Sequence, residues 1–320
     1  MSEFGRDTTT DEVLAGRDLS GRRVVVTGAA SGLGLETSRA LASHGASVTV
    51  VARSSARAQE AVDKLRALVP GANVEPEVAD LSDLATVRSF GERFVAQHQG
   101  LDILVNNAGV MACPLGHTAD GFETQFGTNH LGHFLLTAVL FPALRNGDAP
   151  RVVTLSSAGH SRSDVDLDDP NFEHTDYAPW TAYGRAKTAN ALFARELARR
   201  AGPLGLLSFS VHPGAIITEL GRHLNDDLIN EMIAFTEERS GGRGGLHFKS
   251  VEAGAATQVW AATATVLDEH NGSYLADCGL GVLGADPGVN GFLPYLLDDA
   301  TAARLWELSE RMVGQSFEVA

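Results

Sequence analysis

Arg22-Arg-Val-Val-Val-Thr27, followed at once by Gly28-Ala-Ala-Ser31-Gly32-Leu33-Gly34, is the stretch that decides the fold. The valine run has no polar alternation and reads as a strand buried on both faces. Apolar residues at helical spacing then run from about 32 to 44. Between strand and helix stands Gly-x3-Gly-x-Gly. Its glycines can take positive φ and let a pyrophosphate approach the main chain, while the helix N-terminus offers free N–H groups and the positive end of its dipole. A glycine-rich turn alone is weak evidence; placed directly between a first strand and a first helix, it signals a dinucleotide site.

The same alternation continues outward. Residues 46–52, 73–79, 101–106, 151–156 and 206–211 read as strands, with 272–276 as a short last one. Residues 54–68, 82–98, 181–200, 251–263 and 299–313 read as helices, and two helical segments fill 120–144, broken by Gly127 and ending near Pro142. Strand and helix in turn predict an α/β fold, a doubly wound Rossmann-type parallel sheet with helices on both faces. Residues 1–18 read as a polar leader and 19–320 as one domain. Two stretches break the rhythm. The loop at about 161–180 carries Asp164, Asp166, Asp168, Asp169 and Glu173, an acidic run whose simplest reading is a solvated surface. The stretch at about 218–250 is helical over 226–238, then turns glycine-rich at 240–245, as a hinge would. Both follow the ends of parallel strands, where such sheets bind ligands. The C-terminal extension, about 277–320, ends in an amphipathic helix suited to the core or to a partner subunit.

Composition narrows the class. The chain has 320 residues, 44% of them hydrophobic, and a net charge of −15. That charge excludes a polyanion-binding surface, so no nucleic acid partner is expected. The longest apolar stretch, 135–144, is far short of a membrane span, and the start has no apolar core of a signal peptide; a cytoplasmic protein without a membrane anchor is expected. Cys113 and Cys278 lack metal-ligand spacing, so no metal is expected; they read as free thiols unless the fold joins them.

Tyr183 and Lys187 are four apart in a helical segment and share a face. A free tyrosine titrates near ~10, and an ammonium one turn away favours the phenolate. Ser157, at the tip of the 151–156 strand, can donate to a carbonyl or alkoxide oxygen. The trio suits moving a proton to or from a carbon-bound oxygen. At the end of the second strand, where proteins binding NAD(H) place an acid for the ribose hydroxyls, Arg53 stands instead. Its planar fork suits a 2′-phosphate, favouring NADP(H) over NAD(H), though an arginine also simply starts surface helices.

Taken in order, Thr27-Gly28-x3-Gly32-x-Gly34, Asp80-Leu81, Asn106-Asn107-Ala108-Gly109, Asn129, Ser157, Tyr183-x3-Lys187 and Pro213-Gly214 resemble the motif set of the short-chain dehydrogenase/reductase family. The resemblance implies a cofactor held by Gly28, Ser31, Gly32, Leu33, Gly34 and Arg53, with Asp80 and Leu81 by the adenine. Asn107, Ala108 and Gly109 are implied by the adenosine ribose, and Pro213, Gly214, Ile216 and Thr218 by the nicotinamide. It implies Tyr183 as acid/base, Ser157 as oxyanion partner, Lys187 on the nicotinamide ribose and lowering the tyrosine pKa, and Asn129 anchoring a proton-relay water.

The segment Gly121-Phe122-Glu-Thr-Gln-Phe126-Gly127-Thr-Asn129-His130-Leu-Gly-His133-Phe134 is similar to the retinol dehydrogenase and WW-domain oxidoreductase branch, as are Tyr274-Leu-Ala-Asp-Cys278 and Leu305-Trp306-Glu-Leu-Ser-Glu310. That branch implies a bulky apolar carbonyl or alcohol as small-molecule substrate; the lack of an apolar N-terminal anchor departs from the retinol enzymes. Dimers or tetramers are implied too, with the C-terminal extension able to alter the interface. Reduction of an activated C=C bond and a non-turning-over sensor are the alternatives. His130, His133 and His160 read as structural or pocket-lining, and Phe172, Tyr177, Trp180, Leu220, Met232 and Phe235 as pocket walls or ordinary packing.

Overall fold

Strand β1 (Arg23–Thr27) sits at the centre because both of its faces are apolar; all but its first residue are buried. The computed structural model describes residues 4–240 and 247–319. Around β1, the elements in chain order are α1 (Thr10–Leu14), α2 (Gly32–Ser43), β2 (Ser47–Ala52), α3 (Ser55–Leu68), β3 (Val74–Val78), α4 (Leu84–Gln97) and β4 (Ile103–Asn106). Then come α5 (Thr124–Phe126), α6 (Gly132–Arg145), β5 (Arg151–Leu155), α7 (Pro179–Ala201), β6 (Leu207–His212), α8 (Asp226–Ser240) and α9 (Val251–Thr263). The short strands β7 (Tyr274–Ala276), β8 (Gly279–Leu280), β9 (Val282–Leu283) and β10 (Gly291–Phe292) precede α10 (Asp299–Val313).

The main sheet has the order β3-β2-β1-β4-β5-β6-β7-β8. It is parallel from β3 to β7, and the chain reverses direction across the sheet between β1 and β4. That switch point opens a crevice at the carboxyl ends of the strands. Register places those ends level: Thr27 pairs with Val51, Asn106 with Thr154, Leu155 with Val211 and His212 with Ala276. One core, on α4, α6, α7 and α10, covers one face of the sheet; the other lies under α1, α2, α3 and α9.

Three expectations need correction. The stretch read as a polar leader contains α1, closed by a Thr9–Glu12 capping box, with Val13 and Leu14 buried and α1 packed on α9. Gly127 does not break the helix: one π-helical turn, Gly127–Leu131, leads straight into α6, which runs through Pro142 to Arg145. Gly127 is small because a Cβ there would lie 2.4 Å from Thr118 Cγ2. The sheet is parallel as expected from β3 to β7, and the two-residue β8 adds an antiparallel edge to β7 after a reversal at Asp277 and Cys278, both at positive φ. The acidic loop is only partly a solvated surface. Asp169 accepts main-chain bonds from Glu173, His174 and Thr175, and Arg185 bonds Asp166.

The loop character of 161–180 and the helix at 226–238 are as expected, while the glycine-rich stretch falls, from 241 on, outside the described residues. The final helix packs on α7, with Leu305 and Trp306 buried, so the core claims its apolar face. Both cysteines are buried, and no disulfide joins them. No helix among the described residues is long and apolar enough to cross a membrane, and no metal-holding cluster is found among them.

Candidate active site

The glycine turn is set by close approach. Gly28 has φ +64°, and a Cβ on it would stand 2.8 Å from Ala108 Cα; one on Gly34 would stand 2.4 Å from Gly28 O and 2.5 Å from Asn107 Nδ2. Side chains are thus shut out of the place where the turn meets the end of β4. Ser31 is the N-cap of α2 yet makes no side-chain capping bond, which leaves the first turn's N–H groups open to an anion. Asn107 Nδ2 donates to Thr27 O at 2.8 Å, steadying β1 against β4. Thr27 Oγ1 accepts from the N–H groups of Asn107 and Ala108 and lies 2.8 Å from His133 Nε2.

Along the crevice, Arg53 is exposed at the end of β2, with no bonding partner among the described residues and no acid beside it in the chain. Asp80 Oδ1 accepts from the main-chain N–H and hydroxyl of Ser82, and Leu81 is buried, with Gly132 close against its carbonyl. From the far end of the chain, the loop after β6 folds back. Gly214 has φ +97°, Ile216 meets Leu33 over Gly254, and the Thr218 methyl lies over Gly32. Residues of five separate stretches therefore gather at the carboxyl edge of the sheet. Glu219 is close by, within 3.3 Å of Ser31 Oγ and 3.4 Å of Arg57 Nη2.

The candidate chemical centre lies between β5 and α7. Tyr183 and Lys187 are both buried on α7, and the Lys187 ammonium is 5.7 Å from the Tyr183 ring centre, donating to Leu155 O at 2.9 Å. Ser156 is spent on the main chain, its hydroxyl bonding Lys187 O at 2.8 Å, whereas the Ser157 hydroxyl accepts from Gly159 N at 3.0 Å and favours the ionised form of the Tyr183 phenol. The tyrosine ring rests on Gly159, where a Cβ would be 2.6 Å from it. Asn129, in the π turn, bonds the main chain of Val110 with both ends of its amide, at 2.8 and 2.9 Å. Beside it, a Cβ on Gly109 would lie 3.0 Å from Asn129 Oδ1 and 3.8 Å from Lys187 Nζ, so the missing side chain leaves both groups facing one gap.

The electrostatics differ from expectation at one point. Burial pushes the Tyr183 phenol up to about 12, opposed only by the bond from Ser157, and pushes Lys187 down to about 8. Burial, not the neighbouring ammonium, dominates the tyrosine. Tyr183 is therefore protonated at neutral pH, and Lys187 can exchange a proton near it.

The three histidines are structural. Burial holds His130 at about 3 and His133 and His160 at about 4, so all are neutral. His130 bonds Ser309 of α10. His133 Nδ1 faces Asn129 O at 2.9 Å; a carbonyl only accepts, so that nitrogen carries the proton and Thr27 donates to Nε2. His160 likewise donates from Nδ1 to Ser157 O and accepts from Leu293 N, tying the serine loop to the C-terminal extension.

Of the apolar candidates, Trp180 and Met232 pack with Tyr183; Phe172 and Tyr177 pack on each other and outside that group. Phe235 stacks under Arg162. Sequence reading missed Met111, Leu224 and Leu228, which complete the apolar wall, because their helical or loop setting offers no pattern to distinguish them. It also missed Lys249, whose signal was the scarcity of lysine, at only 64, 187 and 249.

Comparisons with known proteins agree with this geometry. The sequence profile of the family described as short chain dehydrogenase matches residues 22–229. Retinol dehydrogenase 12 of Mus musculus is 38% identical over 300 residues, 94% of this chain and 89% of its own. The WW domain-containing oxidoreductase of Pongo abelii is 38% identical over 317 residues, covering 97% of this chain and 72% of that protein. In structure, an uncharacterized protein of Mycobacterium paratuberculosis superposes with a TM-score of 0.74 at 33% identity, over 96% of this chain and 98% of that one. With the glycine turn, the serine–tyrosine–lysine centre and these likenesses in one sheet, the chain is an oxidoreductase of the short-chain dehydrogenase/reductase family, in its retinol dehydrogenase and WW-domain oxidoreductase branch.

Proposed function

We propose that this oxidoreductase uses NADP(H) to interconvert a ketone or aldehyde with its alcohol on a bulky apolar substrate. The observation that carries the reading is the meeting of Ser157, Asn129 and the α7 pair Tyr183 and Lys187, from three separate stretches, at the carboxyl edge of the sheet. The residues fit a dinucleotide: the Gly28–Gly34 turn excludes side chains, and α2 begins without a side-chain cap. When bound, a nicotinamide supplies or takes the hydride.

This chain's residues do the rest. Ser157 donates to the substrate oxygen, and Tyr183, protonated at neutral pH, delivers its proton there as negative charge develops. Lys187 then returns a proton to the phenolate, drawing on a water held between Asn129 Oδ1 and its own ammonium over Gly109. Arg53 would hold a 2′-phosphate, which supports NADP(H) over NAD(H). The apolar wall of Met111, Trp180, Leu224, Leu228 and Met232 desolvates the reacting carbonyl and favours large apolar substrates.

The test is oxidation of NADPH, against NADH, over aliphatic aldehydes, aryl ketones, steroid ketones and enones, with products identified. Turnover of saturated carbonyls with NADPH preferred is the expected result. Saturation of the enone C=C bond alone would move the reading to alkene reduction. Tight NADPH binding with no turnover of any panel member would move it to a sensor.

A further inference from the structure

Lys249 is a buried cation outside the catalytic trio. Its side chain is 2% exposed and its ammonium lies 2.5 Å from Asp277 Oδ1. The pair stands at the carboxyl ends of β6 and β7, where His212 pairs with Ala276 and the chain enters Pro213-Gly214. Two contacts join Lys249 to that loop, and its charge acts on the last residue of β6. Its main-chain N–H donates to Ala215 O at 2.8 Å, within a parallel bridge between Ala215 and Phe248. Its stem lies against Gly214, where a Cβ would be 2.7 Å from Lys249 Cε. Its charge, added to burial, keeps His212 neutral, so that His212 Nδ1 accepts from Ala158 N and Gly214 N and links the serine loop to the glycine.

The anchor is held at a conformational cost. Asp277 and Cys278 have φ of +50° and +53°, a region that disfavours residues with a Cβ, and the Cys278 N–H is fixed by Thr257 of α9. A buried ion pair is a weak source of stability, since apolar replacements often serve as well. Its geometric effect is specific: it sets where Lys249, and with it the loop, can sit.

We propose that Lys249 is a positioning residue: anchored by Asp277, it sets the Pro213–Thr218 loop in the arrangement that receives the nicotinamide half of the cofactor. This rests on the proposed function for the identity of the ligand, not for the placement of the loop. Lys249 touches the loop, not the reacting atoms, so its removal spares the adenosine end of the site.

The test uses the full chain with K249M, D277N and K249M/D277N, the double variant leaving no unpaired buried charge. In protein without added nucleotide, hydrogen exchange at the amides of 215–218 and 249 should quicken about ten-fold in K249M and in the double variant. NADPH affinity should fall about ten-fold in both, while affinity for 2′-phospho-ADP-ribose changes less than about two-fold. The double variant should recover most of the melting temperature that K249M loses, yet not the NADPH affinity. Recovery of both together would overturn the proposal, leaving Lys249 a stability element. Unchanged exchange and unchanged NADPH affinity in K249M would overturn it too. A wild-type protein that binds neither nucleotide would sink the cofactor reading, and the exchange arm would still decide whether Lys249 sets the loop.

Discussion

The cofactor side and the substrate side of the crevice are built differently. On the cofactor side, the turn from Gly28 to Gly34 is pressed against Asn107 and Ala108 with no room for a Cβ, and Thr27, Asn107 and His133 are joined by short buried bonds. On the substrate side, α8 has no buried residue at all. It is held by the Arg162–Glu231 ion pair at 3.0 Å, the Trp180 Nε1 bond to Leu228 O at 3.2 Å and the Arg239–Asp286 pair at 2.7 Å. Each pair keeps one partner partly in solvent and none of the helix's own residues is buried, so α8 belongs to the less stable part of the fold. On the proposed reading, a ligand common to a whole family would be met by tightly packed main chain, and a ligand particular to one member by a covering helix that can change.

Four variants break or sharpen that contrast. Lys187→Met removes a group of the chemical centre and should lower kcat by about 10²–10⁴-fold. In the wild type, kcat/KM for carbonyl reduction should fall as pH rises through about 8, where the buried Lys187 ammonium gives up its proton; this limb should vanish in the variant, and its persistence would reassign it. Gly34→Ala drives a Cβ into Gly28 O and should destabilise the fold by ~1–3 kcal/mol, read as a lowered melting temperature with weakened binding of both NADPH and NADH. Arg53→Ala should raise the NADPH KM by about 10- to 100-fold, since bonds to a charged group contribute ~1.5–3 kcal/mol, and leave the NADH KM nearly unchanged. Equal effects on the two would remove the phosphate assignment. Glu231→Gln frees one edge of α8. It should shift the melting temperature hardly at all, quicken exchange along α8 and alter the KM of the bulkiest substrates by no more than about three-fold. A large loss of stability would show that α8 is as firmly built as the cofactor side.

The rigid side was also the legible side. Buried parallel strands read as unbroken valine and isoleucine runs, so β1, β2, β4 and β5 were placed within a residue or two, and the glycine turn could be read from composition and place alone. Elsewhere the signals are tertiary. Gly127 looks like a breaker, yet its smallness answers to Thr118, and Pro142 lies on the exposed side of a helix that continues past it. The capping box at Thr9 and Glu12 was readable but lay in a polar stretch. Asp277 and Lys249 are 28 residues apart, and the left-handed backbone at Asp277 and Cys278 has no glycine to announce it. The Tyr183 pKa depends on how deeply α7 is buried, which a Tyr-x3-Lys spacing does not contain.

The central claim is that Tyr183 gives the proton to the substrate oxygen, and one measurement meets it directly. NADPH oxidation with the best carbonyl substrate would be followed in a single turnover by the wild type and by Tyr183→Phe, both with cofactor saturated and its binding measured separately. The account predicts a loss of about 10²-fold or more in the variant, with NADPH affinity within about two-fold of wild type. A variant that binds NADPH normally and keeps most of its rate would contradict it.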